Sequence, residues 1–415
     1  MTESSREARA GTWHRCHSSL VRFVCDLLAG ELKGLRLGGA HLPMLPWGAN
    51  MPVGEDGLGL DSLERMEVAS ALSEALHLHE SGVEDLLLAR RTFGEWVDVA
   101  SRGLGHFDSH LSFRTSGSSG KPKGCRHALA DLEQEVDHLA DLFRGARRIV
   151  SAVPAHHIYG FLFTVLLPER LGGLEVVDVR LLTPRALARL LHAGDLVISH
   201  PTHWSLVASH GGPLPGGVTG VSSTAPCPAQ LAAELSRSDG GLARLVQVYG
   251  SSETAGIGWR ESARVPFQLM PHWSRSHGGP LELQRRSDKG DMSIARTQDV
   301  IEWIDDRHFE VAGRLDAAVK VGGINVFPTR VSRMLSTHPQ VQQAAVRLMT
   351  TGEGHRLKAF VVPKAGADEE ALRAELDQWA NRHLSTSERP KSYTFGTELP
   401  VNENGKCRDW ICTTA

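Results

Sequence analysis

Cysteine is scarce in this chain of 415 residues, and none of it is arranged to bind metal or to staple a fold. Cys16, Cys25, Cys125, Cys227, Cys407 and Cys412 form no CxxC pair and stand in no Cys/His cluster with zinc spacing. Reduced thiols in a cytoplasmic protein are the expectation. A basic excess is also lacking: Lys plus Arg number 45 and Asp plus Glu 48, a net charge of −3. Proteins that bind nucleic acid or membrane surfaces normally show a positive balance, so neither partner is expected. The opening residues carry no apolar stretch of signal-peptide type. The most apolar segment, 158–168, falls well short of the ~18–20 residues that cross a bilayer. Internal repeats and low-complexity tracts are absent from the sequence.

Glycine, by contrast, is plentiful. Its 42 residues exceed the usual share of ~7%, which predicts tight turns and places where a ligand approaches the backbone. A hydrophobic fraction of 41% excludes wholesale disorder, and at ~150 residues per domain the length predicts two or three domains. Residues 18–100 read as helical: Leu20, Phe23, Val24, Leu27 and Leu28 recur at helical spacing, and Asp61-Ser62 opens a second periodic segment. From Leu111 onward short β-like runs (148–153, 174–179, 196–199, 245–248, then 344–349 and 358–362) alternate with helical segments. The alternation predicts an α/β architecture.

The most informative segment is Thr115-Ser116-Gly117-Ser118-Ser119-Gly120-Lys121-Pro122-Lys123-Gly124. Hydroxyls donate, glycines let backbone N–H groups approach an anion, and lysines such as Lys123 neutralise charge, so the composition suits a polyphosphate better than a flexible linker. A kinase-type P-loop is excluded, because Pro122 stands where Ser or Thr must follow Gly-Lys. Further on, Tyr249-Gly250-Ser251-Ser252-Glu253-Thr254 follows a strand candidate. There a flat ring can cover a base, a hydroxyl can meet a phosphate and a carboxylate can hold Mg²⁺.

These motifs, and those that follow in order, resemble the adenylate-forming superfamily of acyl- and aryl-CoA ligases. The likeness runs from about Leu111 to Arg408. It implies that Thr115 to Gly120 and Lys123 hold the phosphates of ATP. Ser223, Thr224, Ala225 and Pro226 would contact adenine, which Tyr249 would cover, and Gly250 and Ser252 would complete the nucleotide site with a hydroxyl at the α-phosphate. His157, Tyr159 and Gly250 would line the acyl pocket. Asp299 and Arg314 would bind ribose or phosphate, with Gln298 standing where the family has Gly. Glu253 would be the Mg²⁺ ligand, and Lys406 in the closing Gly405-Lys406 stretch the adenylation lysine. Lys320, Gly322 and Gly323 would admit the thiol, and Asp316 would be the hinge about which a small domain rotates between half-reactions.

The resemblance also implies a shortened large domain over 105–315 and a small mobile α+β domain over 316–415. Only 114 residues precede Thr115, where the superfamily usually carries a longer lobe. Over 1–104, Gly59-Leu60-Asp61-Ser62-Leu63 before an amphipathic helix, and the later Thr92-Phe93-Gly94-Glu95-Trp96, resemble an all-α acyl carrier protein. In that family Ser62 would bear phosphopantetheine; Asp-Ser before an apolar helix is equally a plain N-cap. Length and motif order are similar to the aryl-acid ligases of aryl polyene and xanthomonadin pathways. The expected reaction is therefore ATP-dependent activation of a carboxylic acid such as 4-hydroxybenzoate to acyl-AMP, then transfer to a carrier-protein pantetheine, in cis or in trans. Free CoA as the thiol, and a non-catalytic nucleotide-binding or carrier module, are the alternatives.

Overall fold

The structure is a computed structural model that describes residues 13–36, 42–116, 122–237, 239–262, 264–279, 281–314, 318–350, 352–400 and 409–411. Two compact units divide the chain, one of residues 1–32, 42–115 and 123–314, the other of residues 33–41, 116–122 and 315–415.

The first unit opens with helices α1 (His17–Leu35), α2 (Ser62–Leu76), α3 (Leu78–Ser81), α4 (Asp85–Ala89) and α5 (Phe93–His106). Local chemistry starts two of them. Asp61 accepts from the Glu64 amide at 2.8 Å while the Asp61 amide donates to Glu64 at 3.3 Å, a capping box. Thr92 and Glu95 repeat the arrangement at the head of α5. Each box is worth about 1 kcal/mol. Strands β1 (His110–Ser116) and β2 (Pro122–Ala128) pair next, followed by α6 (Leu129–Leu142).

A nine-stranded sheet then organises the unit. Five parallel strands come first: β3 (Arg148–Ser151), β4 (Val176–Asp178), β5 (Asp195–Ser199), β6 (Thr219–Ser222) and β7 (Arg244–Ser251). Parallel pairing demands crossovers. The segment 158–170 supplies one, and α7 (Pro184–Leu190), α8 (Pro201–His210) and α9 (Ala229–Leu235) supply the others. Strands β8 (Ala255–Arg260), β9 (Phe267–Leu269), β13 (Asp299–Trp303) and β14 (His308–Arg314) complete the order β13-β14-β9-β8-β7-β6-β5-β3-β4. A small antiparallel sheet, β10 (Trp273–Arg275), β11 (Glu282–Arg286) and β12 (Met292–Arg296), lies between them in sequence.

The parallel strands are apolar almost throughout because both faces are covered. Successive side chains point to opposite faces. Accordingly Ile149, Leu196, Ile198 and Val246 join one core, and Val150, Val197 and Leu245 join another.

The first of these cores also takes in the amino-terminal helices: Leu20, Phe23, Leu72 and Trp96 belong to it together with Val246 and Phe309. Aromatic rings join the parts, with Phe161 edge-on to Trp13 at 5.1 Å, to Phe23 at 5.5 Å, and tilted to Phe113 at 5.3 Å.

In the second unit, helices α10 (Pro328–Ser336) and α11 (Glu369–His383) share a core with a three-stranded sheet. Its strands are β17 (Val341–Leu348), β18 (Leu357–Pro363) and β19 (Ser392–Phe395). A hairpin precedes them, β15 (Val319–Val321) and β16 (Ile324–Val326), whose two turn residues, Gly322 at φ 57° and Gly323 at φ 83°, both need the left-handed region. Among the described residues no helix is long and apolar enough to cross a membrane.

Candidate active site

In open α/β sheets ligands bind beyond the carboxyl ends of the parallel strands. That is where the sequence motifs fall. His157 follows β3, His200 follows β5, Ser223 and Thr224 follow β6, and Tyr249 to Ser251 close β7.

The nucleotide-motif residues meet at the β7–β8 turn. The Tyr249 hydroxyl donates to Asp299 Oδ2 at 2.9 Å, joining residues 50 positions apart. Asp299 in turn is the strand partner of Arg314 across β13–β14. The Tyr249 ring is held by Phe267 at 5.7 Å and Phe309 at 5.6 Å. Gly250 sits at an irregularity in the β7–β8 register, where a Cβ would lie 2.1 Å from the Ala255 carbonyl oxygen, so only glycine fits. His127 Nε2 stands 2.7 Å from the Ser252 carbonyl, which places the ring proton on that nitrogen. Glu253 is exposed at the tip, 3.5 Å from Gln298 Nε2. Its open carboxylate, with acceptor oxygens only, fits a Mg²⁺ ligand.

The turn after β6 carries a second sign of a ligand. Thr224 is left-handed at φ 73°, and its hydroxyl is buried with no partner among the described residues. A buried hydroxyl without a partner is costly, and a nucleotide base edge at this turn would supply one. Neighbouring Ser223 donates to the Val248 carbonyl at 2.8 Å, which ties the turn to β7. Ala225 is half-buried and Pro226 exposed.

His157, the residue expected on the acyl side, is exposed after β3. The Tyr159 hydroxyl donates to the Ser199 carbonyl at 3.0 Å, and burial raises it well above the usual phenol range. His203 Nδ1 meets Ser199 Oγ at 2.7 Å, and burial with the nearby His200 lowers it to about 4. Tyr159 and His203 are thus polar and uncharged at neutral pH.

Several supporting residues have no motif to announce them. Glu135 on α6 is fully buried and accepts from the Gly256 amide at 3.0 and 3.1 Å; burial raises it to about 8, against the pull of Arg285 and that amide. Asp26 on α1 accepts from the Ala155 amide at 2.7 Å and from Arg180 at 2.7 Å, holding the segment that presents His157. Arg114, next to Thr115 on β1, bonds Glu31 at 3.0 Å and Glu74 at 2.5 Å. Their partners lie 40 to 154 positions away in sequence, so no local pattern marks them.

Lys123 is exposed on β2, and the strand β1 carries the backbone of Thr115 and Ser116. In the second unit, Lys320 pairs with Asn325 across the Gly322-Gly323 hairpin. Ser62 is exposed at the first position of α2. Gly117 to Gly120, Asp316 and Lys406 lie outside the described residues, as do the side chains of Thr115, Ser116 and Arg314.

A parallel sheet with a nucleotide-type turn at its carboxyl edge, followed by a small α+β unit, defines an adenylate-forming ligase. Comparison with known proteins agrees. The AMP-binding enzyme profile matches residues 111–285, and the profile of that family's C-terminal domain matches 331–406. The chain belongs to the AMP-binding enzyme family. It is 40% identical over 412 residues to a 4-coumarate–CoA ligase of Cereibacter sphaeroides, covering 94% of this chain and 96% of that one. With the 4-coumarate–CoA ligase of Rhodobacter capsulatus it shares 37% over 406 residues, covering 94% and 99%. Among solved structures, the amide bond synthetase McbA from Marinactinospora thermotolerans matches with a TM-score of 0.59 at 20% identity, over 93% of this chain and 92% of that one. The o-succinylbenzoate CoA synthetase of Bacillus subtilis matches with 0.58 at 20% identity, over 72% and 67%. These two likenesses show the fold. The protein is an acid–thiol ligase that activates a small carboxylic acid with ATP through an acyl-AMP.

Proposed function

We propose that the protein is an aryl-acid–CoA ligase acting on a hydroxycinnamate such as 4-coumarate. The observation that carries this is the 40% identity, across 94% of the chain, to a protein named for that acid and for CoA. It moves the reading from 4-hydroxybenzoate and a carrier thiol, suggested by the pigment-pathway resemblance, to a hydroxycinnamate and free CoA. The imidazole of His203, which burial keeps uncharged at neutral pH, supports it, because a polar, uncharged neighbour leaves no unpaired charge against a phenol ring.

In this reading the carboxylate oxygen attacks the α-phosphorus, the bond to the β-phosphate oxygen breaks, and pyrophosphate leaves. The CoA thiolate then attacks the acyl carbon and AMP leaves. The protein's task is positioning and charge neutralisation. Thr115 to Gly120 with Lys123 take the phosphates, Thr224 and Tyr249 the adenine, and Asp299 and Arg314 the ribose. Glu253 would hold Mg²⁺, which offsets phosphate charge. Lys406 would stabilise the adenylation step, and Gly322-Gly323 would admit the thiol after rotation about Asp316.

A carrier role for Ser62 has one observation in its favour: the exposed serine adjoins a shallow recess lined by Leu60, Arg65, Met66 and Leu88. Against it stands the core these helices share with the sheet. One experiment separates the two. The enzyme is given ATP and a panel of 4-coumarate, 4-hydroxybenzoate, benzoate and hexanoate, with CoA or with a holo-carrier protein, and thioesters are read by mass. The expected result is 4-coumaroyl-CoA as the main product, unchanged in Ser62→Ala. Product only on a carrier, or self-acylation lost in Ser62→Ala, would overturn it.

A further inference from the structure

A second polar cluster lies in the first unit, apart from the motifs described above. One ligand atom from each of His77, His79 and Glu80 falls within 4.8 Å of the others. The arrangement follows from the backbone. His77 closes α2 and opens α3 in a left-handed conformation, φ 52° and ψ 40°, and the chain turns there so that residues 77, 79 and 80 converge. His79 and Glu80 are exposed, with His79 Nε2 3.8 Å from Glu80 Oε1.

His77 is the residue that turns a surface cluster into a site. It is 6% exposed, and its Nε2 lies 3.1 Å from Ser112 Oγ on β1. Its other nitrogen, Nδ1, is buried and has no partner among the described residues. That is the state expected of a metal-ligating histidine, where one ring nitrogen is oriented by a hydrogen bond and the other is left as a lone pair. His110 follows, its ring centroid 6.3 Å from that of His77, and its Nδ1 is likewise buried without a partner. Two buried imidazole nitrogens without partners beside an exposed His and Glu are a costly arrangement unless something accepts their electron pairs.

We infer that His77, His79 and Glu80 form a binding site for a divalent transition cation of the Zn²⁺ type, with His110 or water in the fourth position. Two imidazoles and one carboxylate are a Zn²⁺ donor set, harder than a thiolate site and too rich in nitrogen for Mg²⁺. Ligand atoms around tetrahedral Zn²⁺ sit about 3.3 Å apart, given bonds of about 2.0–2.1 Å. Closing from 4.8 Å asks for rotation only of the exposed His79 and Glu80 side chains. Through Ser112 the cation would brace the α2–α3 junction against β1, the strand that runs on to Thr115 and the phosphate loop.

The test uses the full-length protein after chelator treatment. Zn²⁺ binding is measured by competition with a chromophoric chelator, and Co²⁺ serves as a spectroscopic probe of coordination. The paired change His79→Gln with Glu80→Gln touches only exposed side chains, and His277→Gln, an exposed histidine elsewhere, is the control. The expected result is one site that weakens at least tenfold in the paired variant and is unchanged in the control. Tetrahedral Co²⁺ absorption and a Zn²⁺-dependent rise in melting temperature should be lost with it. Equal Zn²⁺ affinity and stoichiometry in wild type and paired variant would overturn the inference, as would failure of the wild type to bind below millimolar Zn²⁺.

Discussion

One hydrogen bond joins the two residues assigned to the base and the sugar of the nucleotide: Tyr249 Oη to Asp299 Oδ2 at 2.9 Å. It ties the Tyr249 ring to the Asp299 carboxylate, the two groups proposed to meet adenine and ribose. A bond of this kind is worth about 1 kcal/mol net, so Tyr249→Phe should raise KM for ATP about fivefold and leave kcat nearly unchanged. Steady-state kinetics over an ATP series will show this, and an unchanged KM would remove Tyr249 from the site. Glu135 invites a different measurement. Its folded-state value near 8 lies above the ordinary 4.5, so the folded protein holds a proton that the unfolded chain releases. The stability it contributes is full below about pH 4.5 and is lost as the pH rises through about 8. Glu135→Gln keeps an oxygen for the Gly256 amide and cannot ionise. Relative to the variant, wild type should lose melting temperature between pH 5 and 9; parallel curves would contradict the assignment. At this scale the sequence was legible where function imposes a local string, as at Tyr249 to Glu253. It was silent on Glu135, whose partner Gly256 lies 121 positions away, because a buried acid in an amphipathic helix looks like any other.

The strand that leads to the phosphate loop is held from outside the loop. Arg114 on β1 bonds Glu31 of α1 and Glu74 of α2, so the amino-terminal helices brace the segment that enters the ATP motif. All three side chains keep about a quarter or more of their surface in solvent, which limits the pair energies through screening. Arg114→Met should cost about 1–2 kcal/mol by leaving Glu31 half-buried without its cation, lowering the melting temperature by about 2–6 °C. KM for ATP should rise in the same variant; a melting curve and a KM both unchanged would refute the bracing role. The elements themselves were largely legible. The apolar runs at 148–153, 196–199 and 245–248 are β3, β5 and β7, and the capping pattern at Asp61-Ser62 does start α2. The partnership of the helices was not. The Asp-Ser-Leu string is a capping signal in any fold, whereas the contacts that merge α1 with the crossover segment 158–170, such as Phe23 on Phe161, span long separations and leave no periodic trace.

For the whole molecule, the residues proposed for the base, the sugar and the acid belong to the first unit, and the Gly322-Gly323 hairpin, proposed to admit the thiol, belongs to the second. In the proposed reaction the anhydride and the thioester form as separate events, and the account rests on the anhydride being an acyl-AMP. Oxygen labelling tests that most directly. The protein is turned over with 4-coumarate carrying ¹⁸O in both carboxylate oxygens, ATP, Mg²⁺ and CoA, and the products are read by mass. Attack on the α-phosphorus followed by thiol attack on the acyl carbon leaves one labelled oxygen in AMP and none in pyrophosphate. Label in a phosphate or pyrophosphate product, or AMP without label, would contradict the account.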